Sequence, residues 1–322
     1  LEVNATANFD GFLRVGNGST PAFYVQNSNG NVGIGTTNPT TKFQVQGNAS
    51  VSGNFEITGN IIPNAQASQS ASSQTITTVD STNNVGQWTD IAIGSDGFPV
   101  ISYEDVTAAA LKVVKCGNAA CSSGNTTTTV DTGGGPSVTQ TSITIGTDGF
   151  PVISYTQDLG SWNLYVAKCG NAACSSGNTL TAVSTTGSVG VYHSIAIGTD
   201  GFPVISYYDS TNADLKVLKC GNAACSAGNT DTAVATLNTS GEYNSIAIGA
   251  DGLPIVSFYY NNGGDLYVTH CGNLACSSGN TTTAIETLNN VGQYTSIAID
   301  NVGVYSGMSI ILHYDATNGN LN

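Results

Sequence analysis

An all-β fold of tandem four-stranded units is predicted by three features of the chain. The stretch running from Ser194 to Tyr208, with Ile-Ala-Ile-Gly, Asp-Gly and Pro-Val-Ile-Ser-Tyr-Tyr at its heart, recurs along the sequence. Each full copy ends in Cys-Gly-Asn-x-Ala-Cys, which puts the cysteines at Cys116/Cys121, Cys169/Cys174, Cys220/Cys225 and Cys271/Cys276, with copies 53, 51 and 51 residues apart. The apolar residues fall in short β-branched runs bounded by Gly, Asn or Asp, as strands do. A β pattern with a period near 50 residues is that of propeller blades.

One copy contains four strand-like runs. Run a is Ile195-Ala196-Ile197, closed by a tight turn at Asp200-Gly201. Run b is Val204 to Tyr208, followed by a loop from Asp209 to Asp214. Run c is Leu215 to Lys219, and the loop Cys220 to Cys225 leads into run d, Thr230 to Ala235. Runs a and b are apolar almost throughout, as expected of strands covered by blades on both sides.

Runs a and b each occur five times, which predicts a five-bladed propeller with blades starting near residues 88, 140, 192, 243 and 294. Run c and its cysteine pair occur four times. A fifth run d, Gln74 to Val79, precedes the first a, so residues 74–80 are expected to close the ring by completing the last blade and removing an open edge. The fifth c strand is then replaced, unpaired or supplied by residues beyond Asn322. Strand alternation places the Asp-Gly turns and cysteine loops on one face and the d–a and b–c loops on the other.

Pairs this regular in a Thr-, Ser- and Asn-rich chain predict four disulfides and an oxidising, extracellular setting. Each would contribute roughly 2 kcal/mol by closing a short loop. Zinc is disfavoured because ligands spread one pair per blade do not converge. The net charge is −14, with seven Lys and Arg among 322 residues, which argues against nucleic-acid and anionic membrane partners. There is no apolar run of membrane-spanning length, no signal peptide and no initiator Met, so the chain reads as processed or as a piece of a longer polypeptide. No cofactor or metal site is expected.

The loop face collects the candidate ligand-binding residues Trp88, Tyr103, Tyr155, Tyr192, Tyr207, Asp209, Tyr243, Tyr259, Tyr294 and Tyr314. Aromatic faces stack on sugar rings and Asp bonds hydroxyls; the alternative for each Tyr is a spacer between blades with its hydroxyl satisfied locally.

Residues 1–62 follow another pattern, with Gly-Asn at 47–48, 53–54 and 59–60, and hold too few apolar residues for a core of their own. Residues 63–73 read as a linker before the propeller at 74–322. The run Asn31-Val32-Gly33-Ile34-Gly35-Thr36-Thr37-Asn38-Pro39, with Phe43-Gln44-Val45-Gln46-Gly47-Asn48, resembles stalk segments of phage tail fibres and bacterial surface fibres. That resemblance implies self-association through residues 1–62, commonly as a trimer. The repeat itself resembles bacterial propeller repeats and is similar in blade number to five-bladed lectins. It lacks the Ser-x-Asp-x-Gly-x-x-Trp box of sialidases.

The functional expectation is therefore a non-catalytic propeller head that binds a cell-surface glycan or protein, carried on a fibre of a cell or virion. The alternative is a structural filament subunit. An enzyme is disfavoured because Glu104, Asp105 and Asp209 are repeat variants that form no asymmetric carboxylate pair, and His193, His270 and His313 build no triad.

Overall fold

The computed structural model describes residues 14–15, 23–25, 30–36, 38–45, 76–135, 137–236, 240–300 and 307–322. The chain divides into two compact units, Leu1–Ser72 and Ser73–Asn322. In the first, β1 (Arg14–Val15), β2 (Phe23–Val25), β3 (Val32–Ile34) and β4 (Phe43–Val45) form one sheet in chain order, antiparallel except for the parallel β3–β4 pair. The Gly-Asn repeats at 47–60 and the linker at 63–73, on which much of the stalk reading rests, lie outside the described residues.

The second unit is a five-bladed β-propeller. Blade 1 is β5 (Val85–Ile93), β6 (Pro99–Asp105), β7 (Ala110–Lys115) and β8 (Thr126–Asp131). Blade 2 is β9 (Ser137–Ile145), β10 (Pro151–Asp158), β11 (Trp162–Lys168) and β12 (Thr179–Ser184). Blade 3 is β13 (Val189–Ile197), β14 (Pro203–Asp209), β15 (Asp214–Lys219) and β16 (Thr230–Ala235). Blade 4 is β17 (Ser240–Ile248), β18 (Pro254–Tyr260), β19 (Asp265–His270) and β20 (Thr281–Glu286). Blade 5 has three strands, β21 (Val291–Ile299), β22 (Ser309–Asp315) and the two-residue β23 (Asn320–Leu321). All blades are antiparallel meanders, and the first strand of each is innermost.

The four expected disulfides are present, joining Cys116 to Cys121, Cys169 to Cys174, Cys220 to Cys225 and Cys271 to Cys276. The spacing did not foretell the backbone of the second partner. Cys121, Cys174, Cys225 and Cys276 have φ of 51°, 52°, 53° and 50°, in the left-handed region that a residue with a Cβ seldom adopts. Each turns the chain back on itself, and its amide donates to the asparagine carbonyl three residues earlier. That bond is 3.1 Å from Cys121 to Asn118 and 2.9 Å from Cys276 to Asn273.

One staple recurs on the face that carries the a–b turns. In blade 3 the Lys219 ammonium pairs with Asp200 at 2.9 Å, donates to the Cys220 carbonyl at 2.7 Å and lies 5.2 Å from the centre of the Phe202 ring. Lys115 and Lys168 do the same in blades 1 and 2, while blade 4 substitutes His270 on Asp251. Each such lysine is nearly buried, so the carboxylate, carbonyl and ring together replace its lost water. The staple ties the Asp-Gly turn to the end of the third strand, so these turns and all four disulfides share one face.

Blades pack through a shared pattern. The interface of blades 2 and 3 buries Leu164, Val166, Ile195, Ile205, Leu218 and the Cys220–Cys225 disulfide, which acts as an apolar plug as well as a cross-link. On the same side, the last residue of one blade faces the fifth position of the second strand of the next. Asp131 accepts from the Tyr155 hydroxyl at 2.6 Å, and Ser184 meets the Tyr207 hydroxyl at 3.3 Å. Ala235 packs with Phe258, and Glu286 meets His313 at 3.3 Å. Where the ring carries no polar atom, as in Phe258, the partner side chain carries none either, as buried polar groups require.

The expected closing strand at 74–80 is corrected in part. Residues 76–80 form no strand, and residues 74 and 75 lie outside the described set. Asp80 nevertheless stands on blade 1 as Asp131 stands on blade 2, accepting from Tyr103 at 2.7 Å and from Lys112 at 2.6 Å. Burial works against its ionisation, but Lys112, the Thr82 amide and Tyr103 hold its pKa well below the ordinary carboxylate value. Among the described residues, blade 5 does not cover blade 1. Ile91 is 57% exposed and Leu312 49%, whereas Ile143, Ile195, Ile246 and Ile297, which match Ile91, are 6–8% exposed.

Candidate functional site

The innermost strands carry a bulge at one position in every blade, and the site follows from it. Trp88, Gln140, Tyr192, Tyr243 and Tyr294 have φ of 51°, 46°, 49°, 51° and 52°. Bulky residues seldom hold the left-handed region, and five in register mark a shared constraint. Pairing with the second strand skips these residues, so two residues oppose one and the first is turned out of the ladder. A glycine precedes the bulge in four blades. At Gly241, with φ of 106°, a side chain would lie 2.7 Å from Leu215 Cα, so only glycine lets this strand cross the third strand of the preceding blade.

In blades 2, 4 and 5 the residue after the bulge holds the bulge carbonyl of the preceding blade. Thr141 donates to the Trp88 carbonyl at 2.8 Å and Thr295 to the Tyr243 carbonyl at 2.7 Å; the Asn244 amide donates to the Tyr192 carbonyl. These side chains are braced in turn by the preceding blade, through Ser102 on Thr141 at 2.7 Å, Ser206 on Asn244 at 2.5 Å and Ser257 on Thr295 at 2.9 Å. His193 takes the same place in blade 3, its ring nitrogens 2.8 Å from the Gly190 carbonyl and 3.0 Å from that of Ser154. Burial lowers its pKa, so the ring is neutral at neutral pH and donates one of these bonds.

The result is a cavity of about 290 Å³ walled by the five bulge residues and the five that follow them. Equivalent residues from every inner strand place it on the propeller axis. Its size is at the lower end of small-ligand sites. One arc is aromatic: Tyr192 and Tyr243 lie with ring centres 4.5 Å apart, and Tyr243 and Tyr294 4.4 Å apart. Burial, together with hydrogen bonding among these three phenols, pushes the Tyr243 pKa upward. On the opposite arc, Trp88 supplies a second flat face. Gln140 also lines the cavity, its side-chain oxygen accepting from the Tyr192 amide.

No carboxylate lines the cavity. Asp90, two residues past Trp88, is spent on structure: it accepts from Ser142 at 3.0 Å and from the Ile143 amide at 2.8 Å, joining blades 1 and 2. The other four blades have Ser at this position. Two further acids lie close to cavity residues along the strands. Glu242 precedes Tyr243, and Glu104 pairs with Gln87, the neighbour of Trp88. Burial raises both pKa values, opposed by bonds from Asn261 to Glu242 and from Ser137 to Glu104. Among the described residues, no three of His, Cys, Asp and Glu gather as a metal site.

The structure divides the residues expected to contact a ligand. Trp88, Tyr192, Tyr243 and Tyr294 wall the cavity. Tyr103, Tyr155, Tyr207 and Tyr259 do not reach it; all are buried, and their hydroxyls bond Asp80, Asp131, Asp231 and Asn290. Asp209 is likewise buried and caps the following loop through the Thr211 and Asn212 amides. The surface role expected of these five is therefore corrected: Tyr155, Tyr207 and Tyr259 turn between blades, Tyr103 packs with the Cys116–Cys121 disulfide on the open side of blade 1, and Asp209 turns into its loop. Tyr314 is partly exposed on the uncovered side of blade 5. His193 and Asn244 escaped sequence reasoning as cavity residues, although each occupies the register of a bulge pair.

The cysteines stand apart from this site, and none of them lines the cavity. Cys116 and Cys121 pack with Tyr103 and Val114 on the side of blade 1 that blade 5 leaves open. Cys271 and Cys276 are sealed between blades 3 and 4 with Val204, Val217 and Val256. Cys121 is accordingly 8% exposed and Cys276 fully buried, a difference set by the neighbouring blade and not by the repeat.

No protein-family profile matches the sequence, and no curated protein matches it either. Solved structures do. A Penicillium chrysogenum α-L-arabinanase complexed with arabinobiose superposes with a TM-score of 0.52 at 12% identity, over 73% of this chain and 76% of that one. A protein of unknown function from Dyadobacter fermentans gives 0.50 at 10% identity, over 70% and 74%. An endo-arabinase from Bacteroides thetaiotaomicron gives 0.45 at 11% identity, over 71% and 88%. At such identities the likeness shows the fold, a five-bladed propeller. It also corrects the expectation of a non-catalytic adhesin or filament subunit, because the solved propellers that resemble this one include enzymes that cleave glycans.

Proposed function

We propose that the protein is an extracellular glycan-cleaving enzyme that takes a sugar residue into the axial cavity. The observation that carries this reading is the ring of five left-handed residues, four of them aromatic, held open around one cavity on the axis. Strain of this kind is kept where the surrounding structure must present particular side chains. The faces of Trp88, Tyr192, Tyr243 and Tyr294 suit the apolar faces of sugar rings, and the Gln140 amide suits a hydroxyl. Glycan cleavage by an enzyme sharing this fold, the arabinanase bound to arabinobiose, supports the same direction.

Glycoside hydrolysis needs a protonated carboxyl to assist the leaving oxygen and a second carboxylate for the attack. No carboxylate lines the cavity itself; Glu242, which adjoins Tyr243 on its wall, is assigned the acid role, its protonated form favoured by burial. Release of reducing ends from arabinan, xylan and galactan at pH 5–6 tests this. Wild-type protein should release sugar, Glu242→Gln should lose about 100-fold or more in rate, and Tyr243→Ala should raise KM. Absence of release from every one of these glycans overturns the reading.

For the N-terminal unit, self-association through residues 1–62 is proposed. Its described strands, of two or three residues each, are too short to build an independent core, which supports association. Sedimentation velocity should show an oligomer that becomes monomeric when residues 1–62 are removed; a monomeric full chain excludes it.

A further inference from the structure

The polar side chains around the axial cavity are largely engaged with the protein itself. Thr141 and Thr295 hold the Trp88 and Tyr243 carbonyls, and Asn244 holds those of Tyr192 and Gly241. Both His193 ring nitrogens lie on main-chain carbonyls, and the Gln140 oxygen is taken by the Tyr192 amide. What the wall has left to give a ligand is chiefly four aromatic faces and three phenol groups, those of Trp88, Tyr192, Tyr243 and Tyr294.

Charge narrows the choice of ligand. No Lys or Arg lines the cavity. The five lysines of the propeller are tied elsewhere: Lys112, Lys115, Lys168, Lys216 and Lys219 pair with Asp80, Asp96, Asp148, Asp231 and Asp200 at 2.6–2.9 Å. Acids stand close to the wall instead, Glu242 just before Tyr243 in β17 and Asp90 two residues past Trp88 in β5. The chain as a whole carries a charge of −14. An anion entering here meets no opposite charge, whereas a cation enters a field that is already negative.

We propose that the axial cavity also binds a quaternary ammonium group, the trimethylammonium head of a choline-type ligand, within its ring of aromatic side chains. Such a head carries a full charge but no hydrogen-bond donor, so it asks nothing of side chains that are already spent. The negative faces of aromatic rings attract it, indole most strongly, and the attraction grows where water is excluded. Tyr192 and Tyr294 flank Tyr243 with ring centres 4.5 and 4.4 Å from it, and Trp88 closes the opposite arc. A primary ammonium, with three donors to satisfy, is the poorer fit.

Isothermal titration calorimetry of the full chain with three probes tests this: choline, its neutral analogue with carbon in place of nitrogen, and ethanolamine. The analogue keeps the shape without the charge, and ethanolamine keeps the charge without the methyl groups. Choline should bind one-to-one and at least tenfold more tightly than either. Tyr243→Phe keeps the ring and should stay within about threefold of wild type. Tyr243→Leu and Trp88→Leu keep bulk without an aromatic face and should each weaken choline binding at least tenfold. The comparison of probes on wild-type protein stands even where a variant fails to fold. No saturable binding of choline up to about 10 mM overturns the proposal. Equal affinity for the neutral analogue overturns it as well, since the cavity is then only apolar, and so does equal affinity for ethanolamine, since carboxylates and not rings then hold the cation. Binding is read without sugar release, so loss of either activity leaves the other standing.

Discussion

The four interfaces that join blades 1 to 5 and the side where blade 5 faces blade 1 are made from one repeat, yet they differ in chemistry. In the sealed interfaces, the fourth residue of the second strand is Ser102, Ser154, Ser206 or Ser257, fully buried, and three of these hydroxyls bond the bulge partner in the next blade. Blade 5 has Leu312 at that position, half exposed, beside Ile310. Polar groups within an apolar seam fix register, because each one left unpaired costs more than a methyl group out of place. Leucine and isoleucine make no such demand. The sealed interfaces are therefore specified in register, and the fifth-to-first side is only sticky.

That contrast can be broken most sharply with leucines. Leu215→Ala, in the sealed interface of blades 3 and 4, should cost about 3 kcal/mol in denaturant unfolding, as fully buried leucines do. Leu312→Ala should cost less than about 0.5 kcal/mol. Equal losses would mean that blade 5 covers blade 1 in solution. Replacing both Cys169 and Cys174 by Ser should lower stability by roughly 2 kcal/mol, with a further loss from the plug these sulfurs form in the interface with blade 1.

Pairing across the interfaces gives a sharper test at smaller scale. Phe258→Tyr places a hydroxyl where Ala235 offers no partner and should cost about 1–2 kcal/mol. Adding Ala235→Asp recreates the arrangement of Tyr155 on Asp131 and should recover most of that loss. A cycle with no coupling would refute the rule that the last residue of one blade is matched to the next.

The smallest effect concerns the cavity. The Glu242 pKa is raised, chiefly by burial, so the folded chain binds this proton more tightly than the unfolded one. Its contribution to stability is complete below the unfolded value and is lost as pH rises through the folded value. Glu242→Gln should therefore stabilise the protein by on the order of 0.5 kcal/mol at pH 7 and by almost nothing at pH 4. Thermal unfolding at the two pH values checks this. A gain of stability together with a loss of sugar release would mark Glu242 as a residue kept for chemistry.

Much of the fold was legible in the chain. The third and fourth strands of blade 3 were located within a residue of their observed ends, because Gly, Asn and Cys punctuate them. The first strands were read as three residues and extend over nine, since the bulge breaks the periodicity that marks a strand. Trp88, Tyr192, Tyr243 and Tyr294 could be placed together by register, but a repeat pattern does not tell which way a neighbouring tyrosine turns. Tyr155 and Tyr192 look alike as letters; one is sealed between blades and the other faces the axis.

Local chemistry was thus settled by the sequence itself: the bounds of the third and fourth strands, four short-range disulfides, the period of the repeat and the acidity of the chain. These depend on residues near one another along the chain. The tertiary structure alone decided which side chains meet across blades and where the left-handed residues enclose a cavity. Such outcomes depend on contacts about fifty residues apart or more, where a shift of one residue in strand register sends every side chain to the opposite face.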